Sequence, residues 1–289
     1  MVAEISLNHP LAGISIVRGH LLSLGIRVPP TRVQSSLCRV DALGVLMRWS
    51  TAIKRRVYRV RGANSLWHMD GNEKLRPWGF YVHGCIDGHS RLIIYLLCSN
   101  NKRARNVRII FLTIGIRRHG WPSRVRADFG TENNEVEDVM IEHWGPEHRP
   151  YLRGRSLHNV RIERLWRDVR KDTLESFRQV FMYLEEIGSL DMENTIHRVC
   201  LFIVYQPRIQ ASLERTTNAW NNHRIRTAQN KTPIAIYELS KTKAIRLGYW
   251  NSDPDDDITD VAESLYGFDP QAAHLSDEDV ANVIASHAN

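Results

Sequence analysis

The sequence lacks the features of membrane and secreted proteins. No apolar run approaches the roughly 20 residues that a membrane-spanning helix needs, and the N-terminus, MVAEISLNHPLAG, has no basic segment followed by an apolar one. The four cysteines form no CxxC pair, which argues against a zinc knuckle or a disulfide framework: Cys38, Cys85, Cys98 and Cys200. We therefore expect no membrane partner and an intracellular location, in the nucleus if the source is eukaryotic.

Basic residues are missing from the C-terminal end and abundant before it. Residues 251–289 hold 10 acidic residues and no Lys or Arg, so the first 250 residues hold all 39 basic and 22 (32 less 10) acidic residues, a net charge of +17. A basic body with this charge is typical of proteins that bind polyanions, most often nucleic acid. An ordinary basic surface that only keeps the chain in solution is the alternative. We assign residues 241–289 as an acidic tail.

Two helices around a tight turn are predicted between residues 14 and 40. Apolar residues fall at helical spacing on both sides of Gly25: Ile14, Val17, Leu21 and Leu24 before it, and Val33, Leu37 and Val40 after it. Pro29-Pro30-Thr31 signals the second helix start. Arg32, Gln34 and Arg39 lie off its apolar stripe. In a helix-turn-helix, the second helix enters the DNA major groove, and these side chains would face the bases there. An ordinary helical hairpin fits equally well. On the DNA-binding hypothesis, residues 1–47 form a helix-turn-helix-like region.

Residues 48–62 are predicted to be a basic linker. The segment RWSTAIKRRVYRVR interleaves its charges with Trp49 and Tyr58. Such a segment can follow a phosphate backbone. A solvated charged loop has the same composition, so both interpretations stay open.

From residue 63 the pattern predicts an α/β domain. SLWHMD, WGFYVHGCID and SRLIIYLLC have strand composition, and the turn signature DGHS separates the last two. A helix over about 104–119, a fourth strand SRVRAD and a helix over about 132–143 follow. Helical pattern then extends over about 158–186 and 191–223. We assign residues 63–240 as a core with a helical C-terminal extension.

Three acids stand at the ends or starts of these elements. Asp70 ends the first predicted strand, Asp128 ends the fourth, and Glu163 lies in the first turns of the long helix. Phosphodiester cleavage needs an activated nucleophile and a stabilised leaving oxygen, which two Mg²⁺ ions about 3.5–4 Å apart supply. Carboxylates on rigid elements suit this hard ion. The sequence therefore indicates a metal site for phosphodiester chemistry.

Each acid also has a simpler explanation. Asp70 and Asp128 both precede turn residues, and Glu163 could be one more charge on an amphipathic helix. Asp87 is a fourth candidate, but its place in the DGHS turn favours a structural role. The combined placement on strands and helix, rather than any single acid, favours a catalytic site.

Four stretches carry a family resemblance: NSLWHMDGNEKLRPW, GCIDGHSRLIIYLLCSNN, PSRVRADFGTEN and GRSLHNVRIERLWRDV. They resemble the DDE integrase core of the retroviral integrase superfamily, and more closely the integrase-core proteins of transposon origin. The similarity covers about residues 60–240. It implies a ribonuclease H-like fold, an α/β mixed five-stranded sheet flanked by helices, with the N-terminal helix-turn-helix and the C-terminal helical extension attached.

The resemblance also implies a function. Asp70, Asp128 and Glu163 would be the catalytic and metal-binding triad for DNA cleavage and strand transfer, with Mg²⁺ or Mn²⁺, two ions when DNA is bound. A homo-oligomer on DNA is expected by the same analogy. The 34 residues between Asp128 and Glu163 are one fewer than in the family pattern. A ribonuclease H-like nuclease and a catalytically silent, domesticated DNA-binding protein remain alternatives.

The long helix predicts further DNA contacts. Asn159 and Arg167 stand one turn before and after Glu163, and Arg170 extends the same face. Guanidinium groups suit bidentate contacts with phosphate. The preceding loop, with Arg155, has the composition of a mobile segment over the substrate. A solvated helix face is the simpler explanation for these residues.

Overall fold

The structure is a computed structural model of the 289-residue chain. It describes residues 1–9, 12–41, 60–154 and 159–247. Most of the predicted basic linker, Arg155 and nearly all of the predicted acidic tail lie outside the described residues.

A mixed sheet of five strands forms the centre of the domain. The strands are β1 (Leu66–Asn72), β2 (Tyr81–Asp87), β3 (Ile93–Ser99), β4 (Arg124–Ala127) and β5 (Tyr151–Arg153), in the spatial order β3-β2-β1-β4-β5. The β1-β2 and β2-β3 pairs are antiparallel, and β4 is parallel to both β1 and β5. This is the ribonuclease H-like arrangement that the sequence predicted.

The central strand is covered on both faces, which explains its composition. Leu66, Trp67 and Met69 are fully buried, and so is His68 between them. A strand buried on both sides needs a continuous apolar run rather than an alternating one. β1 therefore has helices on both sides, and its one acid lies in a protected setting.

Six helices surround the sheet or extend from it. On its two faces lie α4 (Ala104–Ile110, continued by a π-helical segment Phe111–Ile116 and a turn Arg117–His119), α5 (Asn134–Trp144) and α6 (Val160–Val169). A π-helical segment, Arg170–Leu174, joins α6 to α7 (Glu175–Glu186), and α8 (Thr195–Asn222) and α9 (Pro233–Arg246) follow.

Helix α6 owes its position to an apolar stripe. Ile162, Leu165, Trp166 and Val169 recur at helical spacing and are all buried against the side of the sheet that carries Phe80. Burial of one such side chain is worth roughly 1.5–3 kcal/mol. The stripe therefore fixes the rotation of α6, and with it the direction in which Glu163 points.

The N-terminal region has three helices, not the two that the sequence predicted. They are α1 (Val2–Asn8), α2 (Ile14–Ser23) and α3 (Pro30–Val40), packed around Val17, Leu21, Val33 and Leu37. Helix α2 approaches α8 so closely that a Cβ atom on Gly19 would lie 2.1 Å from the Ala219 carbonyl oxygen. The N-terminal helices are therefore packed directly against the helical extension.

The outer edge of β3 is covered by amide side chains of α8. Asn221 accepts a hydrogen bond from the Ile93 amide (2.9 Å) and donates one to the Ile93 carbonyl (3.1 Å). Further along, Gln210 accepts from the Cys98 amide (3.0 Å) and Gln206 donates to the Cys98 carbonyl (3.0 Å). These side chains satisfy backbone groups on the outer edge of β3, the edge that faces away from β2.

Helix α9 crosses residue 240, where the sequence predicted the end of the core. Thr232 caps its start by accepting a hydrogen bond from the Ala235 amide (3.2 Å). Tyr237 is buried and donates to Asn64 Oδ1 (2.9 Å), next to the start of β1. This contact ties α9 to the sheet, and the helix continues to Arg246, past the predicted boundary. Among the described helices, none is both long and apolar enough to cross a membrane.

Candidate active site

Asp70 lies inside the central strand rather than at its end. β1 continues to Asn72, and Asp70 faces Gly84 across the antiparallel pair with β2. A Cβ atom on Gly84 would lie 2.7 Å from Trp166 Cη2. The missing side chain at 84 therefore makes room for the Trp166 ring, whose Nε1 donates a 2.7 Å hydrogen bond to Asp70 Oδ2.

Asp128 follows the neighbouring parallel strand. β4 ends at Ala127, and Asp128 Oδ1 accepts a hydrogen bond from the Gly130 amide (2.9 Å). Because β1 and β4 are adjacent and parallel, they carry Asp70 and Asp128 toward the same edge of the sheet. The turn interpretation of Asp128 and its place at this edge are compatible.

Glu163 lies in the first turn of α6, and its side chain is exposed. Its amide bonds the Asn159 carbonyl at 3.1 Å, so Asn159 starts the helix. Trp166 stands three residues after Glu163 and contacts Asp70. The same helix therefore carries one acid and holds another.

Asn159 is not on the exposed face where the sequence predicted a DNA contact. Its side chain is buried, and its Nδ2 donates to the Met69 carbonyl (2.7 Å). Its Oδ1 lies 2.7 Å from His68 Nδ1. Since the Asn159 oxygen can only accept, His68 donates from Nδ1. Burial, followed by the charge of Arg126, lowers the pKa of His68 well below its usual value, so the ring is neutral. Asn159 links the start of α6 to the strand segment before Asp70.

The three acids influence one another electrostatically. Burial, followed by the charge of Glu163, raises the pKa of Asp70 to about 8. The charge of Asp128 adds to this rise, while the hydrogen bond from Trp166 opposes it. Asp70 is therefore protonated at neutral pH unless a cation is present.

The carboxylates of Asp70, Asp128 and Glu163 do not all lie within 4.8 Å of one another. Among the described residues, one group of three metal-type ligands has its ligand atoms within 4.8 Å of one another. This group consists of His9, His20 and Asp172. The triad is thus more widely spaced than that group.

A fourth carboxylate, Glu132, lies beside the triad and escaped sequence reasoning. A Cβ atom on Gly130 would lie 2.6 Å from Glu132 Oε2 and 2.9 Å from Asp128 Oδ1, and one on Gly71 would lie 3.7 Å from Glu132 Oε1. Glu132 therefore lies between the turn after β4 and the strand of Asp70. The only available signal was its place four residues after Asp128, which alone indicates nothing.

Asp87 has the structural role that the turn signature favoured. It is fully buried and accepts hydrogen bonds from the amides of Asn64 (2.8 Å) and Ser90 (2.7 Å) and from the Ser90 hydroxyl (2.6 Å). These bonds close the turn between β2 and β3. The Asp87 carboxylate is therefore engaged in structural hydrogen bonds.

The residues predicted to contact DNA differ in their exposure and in the hydrogen bonds that they already make. Arg167 is half-buried, and its Nε has no hydrogen-bond partner among the described residues. Arg170 donates from Nε to Glu175 Oε2 (3.2 Å), so it is already paired. On α3, Arg32 and Arg39 are exposed and Gln34 is half-buried, while Arg39 donates to Ser36 Oγ (3.2 Å).

A cluster of three arginines was also missed. Arg91, in the turn between β2 and β3, lies near Arg161 and Arg164 of α6, and Arg161 Nε donates to the Gly88 carbonyl (3.1 Å). Burial, followed by the charges of Arg161 and Arg164, lowers the pKa of Arg91 to about 10. Sequence spacing could not find this cluster, because only the fold brings residue 91 to α6.

The topology and the placement of the acids define an α/β domain of the ribonuclease H-like class. The family model "Integrase core domain" matches residues 57–246, more than half of the chain. The protein belongs to the integrase core domain family, as its sequence resemblance predicted.

Comparisons with individual proteins give distant similarities. No curated protein matches the sequence. Among solved structures, the magnesium complex of the HTLV-2 integrase catalytic core domain in its trimeric form has 16% identity and a TM-score of 0.41, covering 62% of this chain and 99% of that chain. The simian T-cell lymphotropic virus intasome in complex with PP2A regulatory subunit B56 gamma has 12% identity and a TM-score of 0.41, covering 82% of this chain and 72% of that chain.

Proposed function

We propose that the protein is a metal-dependent enzyme that cleaves DNA and transfers strands, with Asp70, Asp128 and Glu163 as its catalytic acids. The observation that carries the proposal is the placement of the acids: Asp70 and Asp128 lie on and just after adjacent parallel strands, and Glu163 lies on the helix whose Trp166 bonds Asp70. Burial and the charges of Glu163 and Asp128 raise the pKa of Asp70 to about 8. An arrangement that repels its own charge has no structural benefit, but it suits a site built to hold a cation.

The donor set fits Mg²⁺ or Mn²⁺. Carboxylate oxygens are the ligands that these hard ions prefer. Asp70, Asp128 and Glu163 would hold the ions. When bound, the metal would lower the pKa of a water or hydroxyl nucleophile and stabilise the leaving oxygen.

The remaining residues of the site orient these acids. Trp166 holds the Asp70 carboxylate in place by its hydrogen bond to Oδ2. Asn159 fixes the start of α6 against β1, which sets the position of Glu163. Such supporting contacts hold a metal site at the geometry that the reaction needs.

The charge of the chain supports DNA as the substrate. The first 250 residues carry a net charge of +17, and Arg167 lies on the same helix as Glu163, one turn after it. The cluster of Arg91, Arg161 and Arg164 concentrates positive charge that an anion would relieve. The exposed Arg32 and Arg39 of α3 would add contacts to the same polyanion, and assembly on DNA would bring together several copies.

Strand transfer into plasmid DNA tests this function. The full chain is incubated with short duplexes of varied terminal sequence and a supercoiled plasmid, with Mg²⁺, Mn²⁺ or EDTA. Joined products should require a metal and should disappear in Asp70→Asn, Asp128→Asn and Glu163→Gln. Glu142→Gln, which changes an exposed acid of α5, is the matched control and should keep activity. Cleavage without joining would identify a nuclease, and DNA binding without metal-dependent cleavage would contradict the enzymatic proposal.

A further inference from the structure

A second cluster of ligand-type side chains lies away from the triad. His9 ends α1, His20 lies in the last turn of α2, and Asp172 belongs to the π-helical segment that follows α6. All three side chains are buried, with relative exposures of 2%, 5% and 4%. Three ionisable groups from three separate elements are thus buried together. Their burial costs free energy unless hydrogen bonds, opposite charges or a metal ion compensate for it.

The spacing of the Asp172 carboxylate from each histidine matches the coordination shell of a small metal ion. Asp172 Oδ1 lies 3.3 Å from His9 Nδ1 and 3.5 Å from His20 Nε2, and the two imidazole rings stack at 4.5 Å between centroids. One ligand atom from each residue lies within 4.8 Å of the others. For metal–nitrogen bonds of about 2.0–2.1 Å, tetrahedral geometry places neighbouring ligand atoms about 3.3–3.5 Å apart.

The surroundings of Asp172 direct one oxygen toward the histidines. Thr216 of α8 donates its hydroxyl proton to Oδ2, so Oδ1 remains for His9 and His20. Thr173 Oγ1 lies 2.8 Å from Thr216 Oγ1 and 3.1 Å from Ser212 Oγ, so the hydroxyl of Thr216 is itself held in place. An oriented carboxylate with hydrogen-bonded support is typical of protein metal sites. The π-helical segment, a feature common at functional sites, is what turns Asp172 inward.

The His9 imidazole faces the segment that carries Asp172. Its Nδ1 also contacts the Asp172 backbone oxygen, so one nitrogen lies against two oxygens of the same residue. These contacts hold the ring beside the carboxylate.

We propose that His9, His20 and Asp172 bind a divalent transition-metal ion, with Zn²⁺ as the preferred species. Two imidazoles and one carboxylate suit Zn²⁺ rather than Mg²⁺, which prefers oxygen ligands alone. The site is separate from the Asp70–Asp128–Glu163 triad and does not depend on the proposed reaction.

The site would connect the N-terminal helices to the core. Two ligands come from α1 and α2, the third comes from the helix that continues α6, and the supporting Thr216 comes from α8. The close approach of Gly19 to Ala219 joins the same elements. A bound ion would therefore fix the exposed face of α3 relative to Glu163.

Metal analysis of the purified full chain tests the site. After dialysis against metal-free buffer and addition of zinc, elemental analysis should find about one zinc ion per chain, and Co²⁺ in its place should give the visible absorption of a tetrahedral site. Zinc should raise the thermal unfolding midpoint of the wild type and of His143→Gln, which changes an exposed histidine. It should not raise that of His9→Gln, His20→Gln or Asp172→Asn.

Two results would overturn the proposal. One is a folded wild type that binds neither zinc nor cobalt; this would leave the cluster as a hydrogen-bonded contact only. The other is equal zinc binding by the wild type and the three cluster variants. The cobalt spectrum of the wild type needs no variant, so the test stands even if a substitution prevents folding.

Discussion

Trp166 donates a 2.7 Å hydrogen bond from its indole nitrogen to Asp70 Oδ2, and both residues flank the gap left by Gly84. The indole thus joins the central strand to the helix of Glu163. A single contact couples the positions of two of the three acids. Its loss is expected to affect the site more than the fold.

Trp166→Phe should weaken metal binding while leaving the protein folded. The phenyl ring fills most of the indole volume, but the hydrogen bond that lowers the pKa of Asp70 is lost. A hydrogen bond to a charged group is worth roughly 1.5–3 kcal/mol, which corresponds to roughly a 10- to 100-fold weaker metal response. The measurement is the Mg²⁺ concentration for half-maximal cleavage, compared with the unfolding midpoint. An unchanged Mg²⁺ requirement would contradict the role of the indole.

Gly84→Ala should destabilise the fold. The new methyl group would lie 2.7 Å from Trp166 Cη2 and 2.9 Å from Leu96 Cδ2, so the helix or the strand must shift. Overpacking of this kind costs typically 1–3 kcal/mol. Urea unfolding of the variant measures the loss. Gly71→Ala is the control for stability, because its methyl group would meet only an ordinary contact at 3.7 Å.

Asp70 should make the metal-free protein less stable as the pH rises. Its pKa increases from 3.8 to about 8 on folding, so between these values the folded state binds more protons than the unfolded state. The free energy of unfolding therefore falls with rising pH across that interval. Asp70→Asn should remove this slope and stabilise the metal-free chain by a few kcal/mol near neutral pH, on the order that such a shift implies.

Thermal unfolding in EDTA across that pH range checks the slope. Added Mg²⁺ should stabilise the wild type at alkaline pH and have little effect on Asp70→Asn. Parallel pH profiles for the two proteins in EDTA would show that Asp70 does not titrate as described.

Asn159→Ala should reduce catalysis without reducing DNA affinity. The substitution removes the bonds to Met69 and His68, leaving buried polar groups unpaired at a cost of roughly 1–3 kcal/mol. Glu163 would lose its fixed position, while no phosphate contact is removed. Cleavage rate and DNA affinity, measured on the same preparation, separate the two effects. A loss of affinity with an unchanged rate would restore the DNA-contact interpretation.

Arg167→Gln should have the opposite effect. It removes a half-buried cation one turn after Glu163, so DNA affinity should fall at all sequences. The slope of log affinity against log salt should decrease by about 1. Arg170→Gln is a useful comparison and should have a smaller effect, because Arg170 is already paired with Glu175. Equal effects of both substitutions would contradict this difference.

The order of the first four strands and the main helices followed from the sequence, because strands, turns and amphipathic helices leave local patterns. The fifth strand, Tyr151–Arg153, lies in a segment whose composition predicted a loop. The apolar run before Asp70 and the stripe around Leu165 were visible in this way. The burial of Asn159 was not, since helical spacing shows a shared face but not whether a strand covers it. Glu132, the arginines around Arg91 and the contacts of Asp172 arise only when distant segments meet. Helix α1 was too short for its periodicity to be recognised.

The side-chain amides along β3 have a consequence for assembly. Because Asn221, Gln210 and Gln206 already bond the backbone of Ile93 and Cys98 on the outer edge of β3, a strand from a second chain would have to displace them to pair there. Contacts between copies must then use other surfaces, and this edge is protected from fibre-like stacking. Substitution of these amides would open the sheet to aggregation before it changed any residue of the site.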